Sequence, residues 1–427
     1  KVANTLLTID MITKEALRLA HEKATFIGTI NRQFDDSFGD SSGKIGDTLR
    51  IRYPSQYTRR QGSRVMSVQD SVQQSTALVV ATQDGVDMRF NSRELALDLD
   101  SFTQLHLEPA MAMLMSNIDS DVLQGCTKST YNWATNVAVL KDVGTVGNCV
   151  TTMSAVSSLT APGNARTRLN QGLAPKSDRR IQVDSGTMAA IVSGAAAYFN
   201  PSNAISEQYR EGLVSRTAMS DYYENERIFS MRTVSSALVT SWQCSTLNIS
   251  SNGAQSFGAS TTQLTPVGAV FTLGNSTGVI SDVHPETKVA FPAAKQFVVV
   301  SSVFAATTTI SFAPPIYWTG PRQNVGGIFT QSTLEFSSMT INQAGTTTAS
   351  FGNGLMYHKD AFTFATAPLP LMSASEKCVR RTYDGISLRV WQDSDIRNDE
   401  LLTRIDILYG YAAIRPDWAC RLIGAAY

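Results

Sequence analysis

Between residues 236 and 350 the sequence changes character. This stretch of 115 residues holds 34 Ser and Thr but only six charged residues: Asp282, Glu286, Lys288, Lys295, Arg322 and Glu335. Short runs such as Phe297 to Val300 and Thr308 to Phe312 are separated by Gly, Asn and Pro, the pattern of strands joined by turns. The Ser/Thr content alone would also suit a disordered segment. The interleaved β-branched and aromatic residues point instead to a packed all-β domain. After Ala365 the earlier style returns. Gly385 to Trp391 and Thr403 to Tyr411 alternate as strands, and an acidic loop with Asp393, Asp395, Asp399 and Glu400 joins them. Strands that follow a compositionally foreign segment predict that the chain goes back to complete an earlier domain. Residues 236–350 therefore read as an insertion.

A second feature lies near the N-terminus. Asp47 to Tyr53 alternates, with Leu49 and Ile51 on one face and Arg50 and Arg52 on the other, and Thr76 to Thr82 is a second strand. About twenty polar residues lie between them with very few aliphatics. The pattern predicts a long two-stranded extension that cannot hold a core of its own. An isolated hairpin is marginal in water, so its tip is either mobile or laid on something else. Lys44, Arg50, Arg52, Arg59, Arg60 and Arg64 face only Asp47 in the span 44–64, a surplus of five positive charges, and Tyr53 and Tyr57 are interleaved. Three uses fit this pattern. The arginines can grip phosphates while tyrosines stack on bases; they can be a solvated face; or their forks can pair with carboxylates of an adjacent subunit. A core-less hairpin needs a surface, and the acidic loop at 393–400 supplies the complementary charge, which favours the third.

Elsewhere the spacing predicts helices. Ile9, Ile12, Ala16 and Leu19/Ala20 form an amphipathic stripe over residues 8–23, either an arm docked on a neighbour or a helix on its own core, with the terminal position favouring the arm. Asp100 to Gln124 is the strongest helix, with Leu107, Met111, Leu114/Met115, Ile118 and Val122 on one face and Pro109 suited to its first turn. Asn164 to Gln171 reads as helix, Arg180 to Val183 as a strand, Thr187 to Phe199 as a buried helix ending at Asn200-Pro201, and Ala204 to Val214 as a further helix.

At 427 residues the length suggests about three domains. Lys+Arg and Asp+Glu are 36 each, so the formal net charge is zero. A neutral chain lacks the basic surplus of a free-standing nucleic-acid binder, and neutrality suits a subunit that packs against copies of itself. Five scattered cysteines, at 126, 149, 244, 378 and 420, read as reduced and mostly buried thiols. The longest apolar runs, such as Phe297 to Ala306, are about half of a membrane span. Asp10, Lys14 and Glu15 interrupt the N-terminal apolar stretch, so no signal peptide is expected.

Catalytic patterns are missing. Gly39 to Ile45 has three residues between its glycines where a phosphate loop has four, and Ile45 stands where a magnesium-binding Ser/Thr belongs. His21, His106, His284 and His358 form no ligand-spaced pair, and Asp393/Asp395 lack the rest of a calcium loop. The expectation is a non-enzyme with no metal and no cofactor.

The order of parts resembles the major capsid (coat) proteins of tailed bacteriophages, specifically the podovirus-type coat proteins with an inserted β domain. The stretches that carry the resemblance are Phe102-Thr-Gln-Leu-His-Leu-Glu-Pro-Ala-Met111, Ile405-Asp-Ile-Leu-Tyr-Gly-Tyr-Ala-Ala-Ile-Arg-Pro416 and, just before the insertion, Glu211-Gly-Leu-Val-Ser215. The similarity of plan covers nearly the whole chain and is weakest across 236–350. It implies an α+β fold of the tailed-phage (Hong Kong 97-like) capsid type. Its parts would be an N-terminal helical arm (1–34), an extended loop (35–85), a peripheral domain with a long spine helix (86–139) and an axial domain (140–235). The inserted β-rich domain (236–350) and return strands completing the axial and peripheral domains (351–427) would follow.

The function implied is a structural subunit of the virion, made in the host cytoplasm. It would assemble into pentamers and hexamers of an icosahedral head around double-stranded DNA. A scaffolding protein and a portal would act during assembly, a decoration protein would be a possible partner, and there would be no membrane partner. The intersubunit contact residues would be Arg50, Arg52, Tyr57, Arg59, Arg60, Arg64, Asp393, Asp395, Asp399 and Glu400. Contact with DNA would be sequence-blind, from residues such as Lys14 and Arg18. The competing readings are a surface-binding or adhesin-type β module and a hydrolase with an accessory β domain.

Overall fold

The computed structural model describes residues 9–32, 48–60, 62, 66, 68, 70, 73–91, 106–136, 156, 158–195, 220–232, 242–246, 253–259, 266–275, 278–303, 308–326, 340–343, 350–372, 377–395, 397–398 and 400–426. The helices are α1 (Ile9–Lys23), α2 (Glu108–Ser129), α3 (Thr160–Gln171) and α4 (Ser185–Ala195). The strands of the first half are β1 (Thr48–Arg52), β2 (Ser75–Val79), β3 (Thr82–Asn91), β4 (Trp133–Ala134), β5 (Arg179–Val183), β6 (Asp221–Glu224) and β7 (Phe229–Arg232). Then come β8 (Trp242–Thr246), β9 (Ala254–Ala259), β10 (Val270–Asn275), β11 (Gly278–Val279), β12 (Ser281–Val283), β13 (Ala290–Ala294), β14 (Gln296–Val303), β15 (Thr308–Ile316), β16 (Val325–Gly326) and β17 (Thr340–Gln343). The return consists of β18 (Ser350–His358), β19 (Phe362–Ala367), β20 (Lys377–Tyr383), β21 (Ile386–Asp395), β22 (Glu400–Ala413) and β23 (Ala419–Ala426).

The chain divides into two units. The first draws on Lys1–Arg52, Ser75–Val122 and Phe362–Ile414, the second on Tyr53–Gln74, Leu123–Ala361 and Arg415–Tyr427.

In the first unit the long strand β22 is the organiser. It pairs antiparallel with β3 from Glu400↔Asn91 to Tyr409↔Thr82, with β21 from Asp395↔Glu400 to Arg389↔Asp406, and with β19 from Ala367↔Leu408 to Phe362↔Ala413. Strand β20 closes the far side of β21. The apolar stripe of α1 packs on β20 and β21 of the same chain, with Ile12, Ala16, Leu19 and Ala20 buried. Of the two readings of this helix, the structure therefore shows the one in which it lies on its own subunit. Behind it, Asp119 of α2 is fully buried. It accepts hydrogen bonds from Phe26 N (2.9 Å), Ile27 N (3.0 Å) and Thr25 Oγ1 (2.8 Å), which fixes the turn after α1 to the long helix.

Around β22 sits a buried ion pair. Asp406 is 0% exposed and accepts from Arg389 Nη2 at 2.5 Å and Arg404 Nε at 2.8 Å. Opposite it is Gly85, where a Cβ would meet Asp406 Oδ1 at 2.6 Å.

The second unit holds a mixed sheet in the order β4-β23-β18-β5-β6, with β7 also on β18. α3 and α4 cover one face of it through Ala161, Ala165, Leu169, Met188 and Ile191. Only Met188 and Ile191 of α4 are buried among its described side chains, so this helix is half exposed where the sequence predicted a buried one. The single strand expected over 76–82 is two, β2 and β3, because the chain breaks between them at Val80 and Ala81. The helix expected over 204–214 lies outside the described residues. α2 runs from Glu108, with Pro109 in its first turn as the fixed φ of proline favours.

The two ends of the insertion meet. β7 and β18 pair antiparallel, from Ser350↔Arg232 to Asn353↔Phe229, so the chain leaves and re-enters the mixed sheet on adjacent strands. Between them β10, β14, β15, β9, β8 and β17 follow one another around a ring of antiparallel pairs, and β17 pairs again with β10. Six strands thus close into a barrel, and closure removes the free edges that an open sheet would expose. Phe271, Phe297 and Phe312 pack together, with ring centroids 5.4–6.2 Å apart, and side chains fill small barrels in this way.

Candidate assembly site: the extended loop and the inserted barrel

The extension is a ribbon of two strands. β1 and β2 pair from Thr48↔Val79 to Arg52↔Ser75, and Tyr53 N continues the ladder to Gln74 O at 2.8 Å. Alternation sorts its faces as the sequence predicted. Ile51 and Leu78 are buried, while Arg50 and Arg52 are exposed. Arg59 and Arg60 are exposed, and Tyr57 is 61% exposed. Arg64 lies outside the described residues. Near the same turn, Met66 and Val68 are 80% and 77% exposed. Apolar side chains this open on a core-less ribbon are what a contact surface provides, and the sequence reading did not single them out.

The root of the ribbon depends on a glycine. A Cβ at Gly410 of β22 would land on the carbonyl of Val79 and 2.8 Å from Val80 Cα. The missing side chain lets the ribbon pass over β22, so the Tyr-Gly-Tyr of the sequence has a steric reason.

The predicted acidic residues sit at the tip of the β21–β22 hairpin. Asp393 is exposed and accepts from the amide of Ser394 at 3.0 Å. Asp395 accepts from Arg397 N (2.9 Å) and Asn398 Nδ2 (2.8 Å). Glu400 is engaged by Arg89 of β3 at 3.3 Å. Asp399 lies outside the described residues. Basic ribbon and acidic tip are thus both displayed, and Glu400 is already partly neutralised within its own chain.

The barrel is locked to the rest of its unit by a few polar side chains. Gln296, 2% exposed, accepts from Trp133 N at 2.8 Å and donates to Trp133 O at 3.1 Å, substituting for the strand that β4 lacks on that edge. Arg421 of β23 is fully buried and donates to Gly268 O (2.6 Å) at the barrel's entry and to Lys128 O (3.1 Å) at the end of α2. Burial pulls its guanidinium down to about 9 and pushes the neighbouring Cys420 thiol up to about 12. Gly268 has φ +91°, which glycine adopts without strain. Lys295 reaches Asp282 at 2.8 Å and lies over the Tyr131 ring, 5.5 Å from its centroid, while Arg168 of α3 approaches Asp282 at 3.9 Å. None of Asp119, Gln296 or Arg421 was singled out in the sequence. Each is a lone polar residue whose partner lies far along the chain.

Cys126 and Cys420 are buried thiols and Cys378 is half-buried, none of them in a disulfide. Among the described residues no group of three His, Cys, Asp or Glu could hold a metal ion, and no helix is long and apolar enough to cross a membrane.

The described chain thus combines a two-stranded ribbon, a long helix and an inserted six-stranded barrel. Residues 267–424 match the family described as P22 coat protein, gene protein 5, which spans most of the barrel and nearly all of the return. Solved structures similar to the chain include one described as Mycobacterium phage Che8 (8% identity, 93% of this chain and 90% of that one, TM-score 0.47). Others are the capsid of the cyanophage P-SCSP1u (10%, 90% and 85%, TM-score 0.42) and the mature capsid of bacteriophage PhiM1 (8%, 88% and 82%, TM-score 0.41). No curated protein matches the sequence. Residues 267–424 are thus similar to a phage coat protein, and the likeness takes in the barrel strands from β10 on and the return strands to β23.

Proposed function

We propose that copies of this chain form the pentamers and hexamers of an icosahedral head that encloses double-stranded DNA, with the extended loop as the main link between neighbours. The observation that carries this reading is the exposed ribbon. Arg50, Arg52, Arg59 and Arg60 are displayed with Tyr57 on a segment without a core, and Asp393 is displayed on the β21–β22 tip. Arg forks and carboxylates make short, directional pairs across such an interface. In the proposed contact Arg50, Arg52, Tyr57, Arg59, Arg60 and Arg64 meet the acidic tip, Asp393, Asp395, Asp399 and Glu400, of the adjacent copy.

The domain boundaries inferred from the sequence belong to the same proposal, as do synthesis in the host cytoplasm, a scaffolding protein and portal during assembly, and a decoration protein on the outside. The role is structural rather than enzymatic. Contact with packaged DNA is non-specific, through groups such as Lys14 and Arg18, both exposed on α1. A neutral chain without a base-reading element holds DNA without reading it.

The test is charge reversal. Arg59→Glu with Arg60→Glu should abolish shell formation seen by electron microscopy, and Asp393→Arg with Asp395→Arg in the same chain should restore part of it. Normal shells from the doubly reversed loop alone would refute the contact.

A further inference from the structure

The extended loop is held on its own subunit at both strands. On the outgoing strand, Arg415 lies between two rings, its guanidinium carbon 5.3 Å from the centroid of Tyr53 and 5.0 Å from that of Trp418. Trp418 is itself fixed, donating from Nε1 to Gly172 O at 3.0 Å and meeting His358 edge-on at 5.5 Å. The amide of Arg415 is tied to Ala361 O at 3.0 Å, so its backbone does not depend on the stack.

On the incoming strand, the side-chain amide of Gln74 lies over the Arg322 guanidinium, one end of it 2.6 Å from Nη1, 3.1 Å from Nη2 and 3.2 Å from Nε, and the amide oxygen is the end that suits this cation. Arg322 is the only arginine between residues 236 and 350. It is pre-set by Tyr317, whose ring it covers at 5.6 Å and whose hydroxyl takes Nη1 at 3.2 Å. The loop that carries both is closed by Asn324, which accepts from Tyr317 N (2.9 Å) and donates to Pro315 O (2.8 Å). Tyr53 and Gln74 are bonded to each other, so the two arginines grip the same rung of the ribbon from different parts of the insert-bearing unit.

We infer that Arg322 and Arg415 are positioning residues that fix the stem of the extended loop to the inserted barrel and the 415–418 turn of the same subunit, presetting the loop's direction before a neighbour engages it. The inference rests on the reading of the loop as an intersubunit link. Neither arginine touches the proposed partner. Their effect is to lower the disorder that a free ribbon would lose on docking, which is how preorganisation strengthens association. Arginine suits the place because its flat guanidinium stacks on rings and bonds from its edge at once, which a lysine cannot do.

The experiment measures amide hydrogen exchange of residues 50–60 and 73–79 in the unassembled full-length subunit, together with the rate of shell formation by light scattering. Arg322→Gln, Arg415→Ala and Tyr53→Ala should each speed exchange of the stem by about 2- to 30-fold, the span of a cation–π contact, and slow assembly. Tyr53→Phe keeps the ring that stacks on Arg415 and should speed exchange of the stem less than Tyr53→Ala. Tyr53 is the ribbon's own member of the stack and is half-buried, so its variants report on the clamp even where an arginine variant folds poorly. Unchanged stem exchange in Tyr53→Ala and Arg322→Gln would overturn the clamp, as would equal acceleration in Tyr53→Phe and Tyr53→Ala. Faster exchange with an unchanged assembly rate would overturn the presetting role. Failure of the loop link itself would show differently, as normal shells from the Arg59/Arg60 reversal whatever the stem exchange does.

Discussion

Replacing Gln296 by Leu isolates what locks the barrel to the mixed sheet. The substitution keeps a side chain of similar volume and removes both hydrogen bonds to Trp133, the 2.8 Å bond from its N–H and the 3.1 Å bond to its carbonyl. Among the described residues β4 pairs with a strand only on its other edge, through Arg421↔Trp133 and Leu422↔Ala134, and Trp133 is 4% exposed, so neither freed group finds water. A buried backbone group left without a partner costs about 1–3 kcal/mol, which puts the pair at about 2–6 kcal/mol. That is a large share of the roughly 5–15 kcal/mol by which folded domains are stable. Denaturant unfolding of the unassembled subunit should show the loss as a lower midpoint. Exchange of the Trp133 amide should accelerate more than tenfold, since about 1.4 kcal/mol is a factor of ten in the opening equilibrium. Gln296→Glu should also destabilise, because a carboxylate accepts from the N–H but offers nothing to the carbonyl. A Gln296→Leu subunit with an unshifted midpoint and unchanged Trp133 exchange would refute the claim that this side chain serves as the missing strand.

Other consequences are equally direct. Gly410→Ala drives a methyl group into the Val79 carbonyl, so the ribbon root must shift; exchange of the β1–β2 amides should rise and shells should form poorly, while secondary structure by circular dichroism stays intact. Asp119→Ala leaves Phe26 N and Ile27 N buried without an acceptor, which should lower stability by about 2–5 kcal/mol in denaturant titrations. Burial holds the His358 imidazole below its usual 6.5, with Asp360 and Asp178 opposing and Arg179 and Arg180 adding to the effect. The unfolded chain therefore takes up the proton at higher pH than the folded one. Stability should be complete above about pH 6.5 and fall as pH drops below it, and thermal melts between pH 8 and 5 should show a shallower decline for His358→Gln.

Much of the plan is legible in the sequence because it is written in local periodicity. The alternation of Leu49 and Ile51 against Arg50 and Arg52 gives the ribbon and its faces, and the stripe from Ile12 to Ala20 gives α1. The change of composition at either end of 236–350 brackets the insertion, whose flanks pair at Arg232 and Ser350. Barrel closure is not legible, because β17 pairs with both β8 and β10 and no local pattern encodes such partners. The buried Asp119, Gln296 and Arg421 escape for the same reason. Gln296 meets Trp133 across 163 positions, and alone it looks like any polar residue beside a strand. The stretch from Ile405 to Pro416 carries a resemblance without explaining it. The structure supplies reasons: Asp406 holds two arginines, Tyr409 donates to Asp84 and Asp121, Gly410 admits the ribbon, and Arg415 stacks on Tyr53.

The scarcity of charge in the insertion takes on meaning once its few charges are located. Asp282 and Lys295 join each other at the junction with α3, where Arg168 is 3% exposed. Arg322 reaches Gln74 of the ribbon, and Lys288 donates to the Gln323 carbonyl beside it. A free-standing β domain would scatter its charges over the surface for solubility; here Asp282, Lys295 and Arg322 lie where the insertion meets the rest of its own unit. Solvent-exposed pairs contribute little, whereas groups with side-chain exposures of 3–15%, as here, are screened less and penalise any arrangement that separates them. The barrel is thus oriented by a small set of polar contacts, and among the described residues of the insertion Glu286 is the one charged side chain that is exposed. In the proposed shell, a subunit surrounded by identical copies gains from that distribution. Like-charge repulsion between neighbouring barrels stays small, while the orientation of each barrel, and through Arg322 the stem of its loop, is set within the chain.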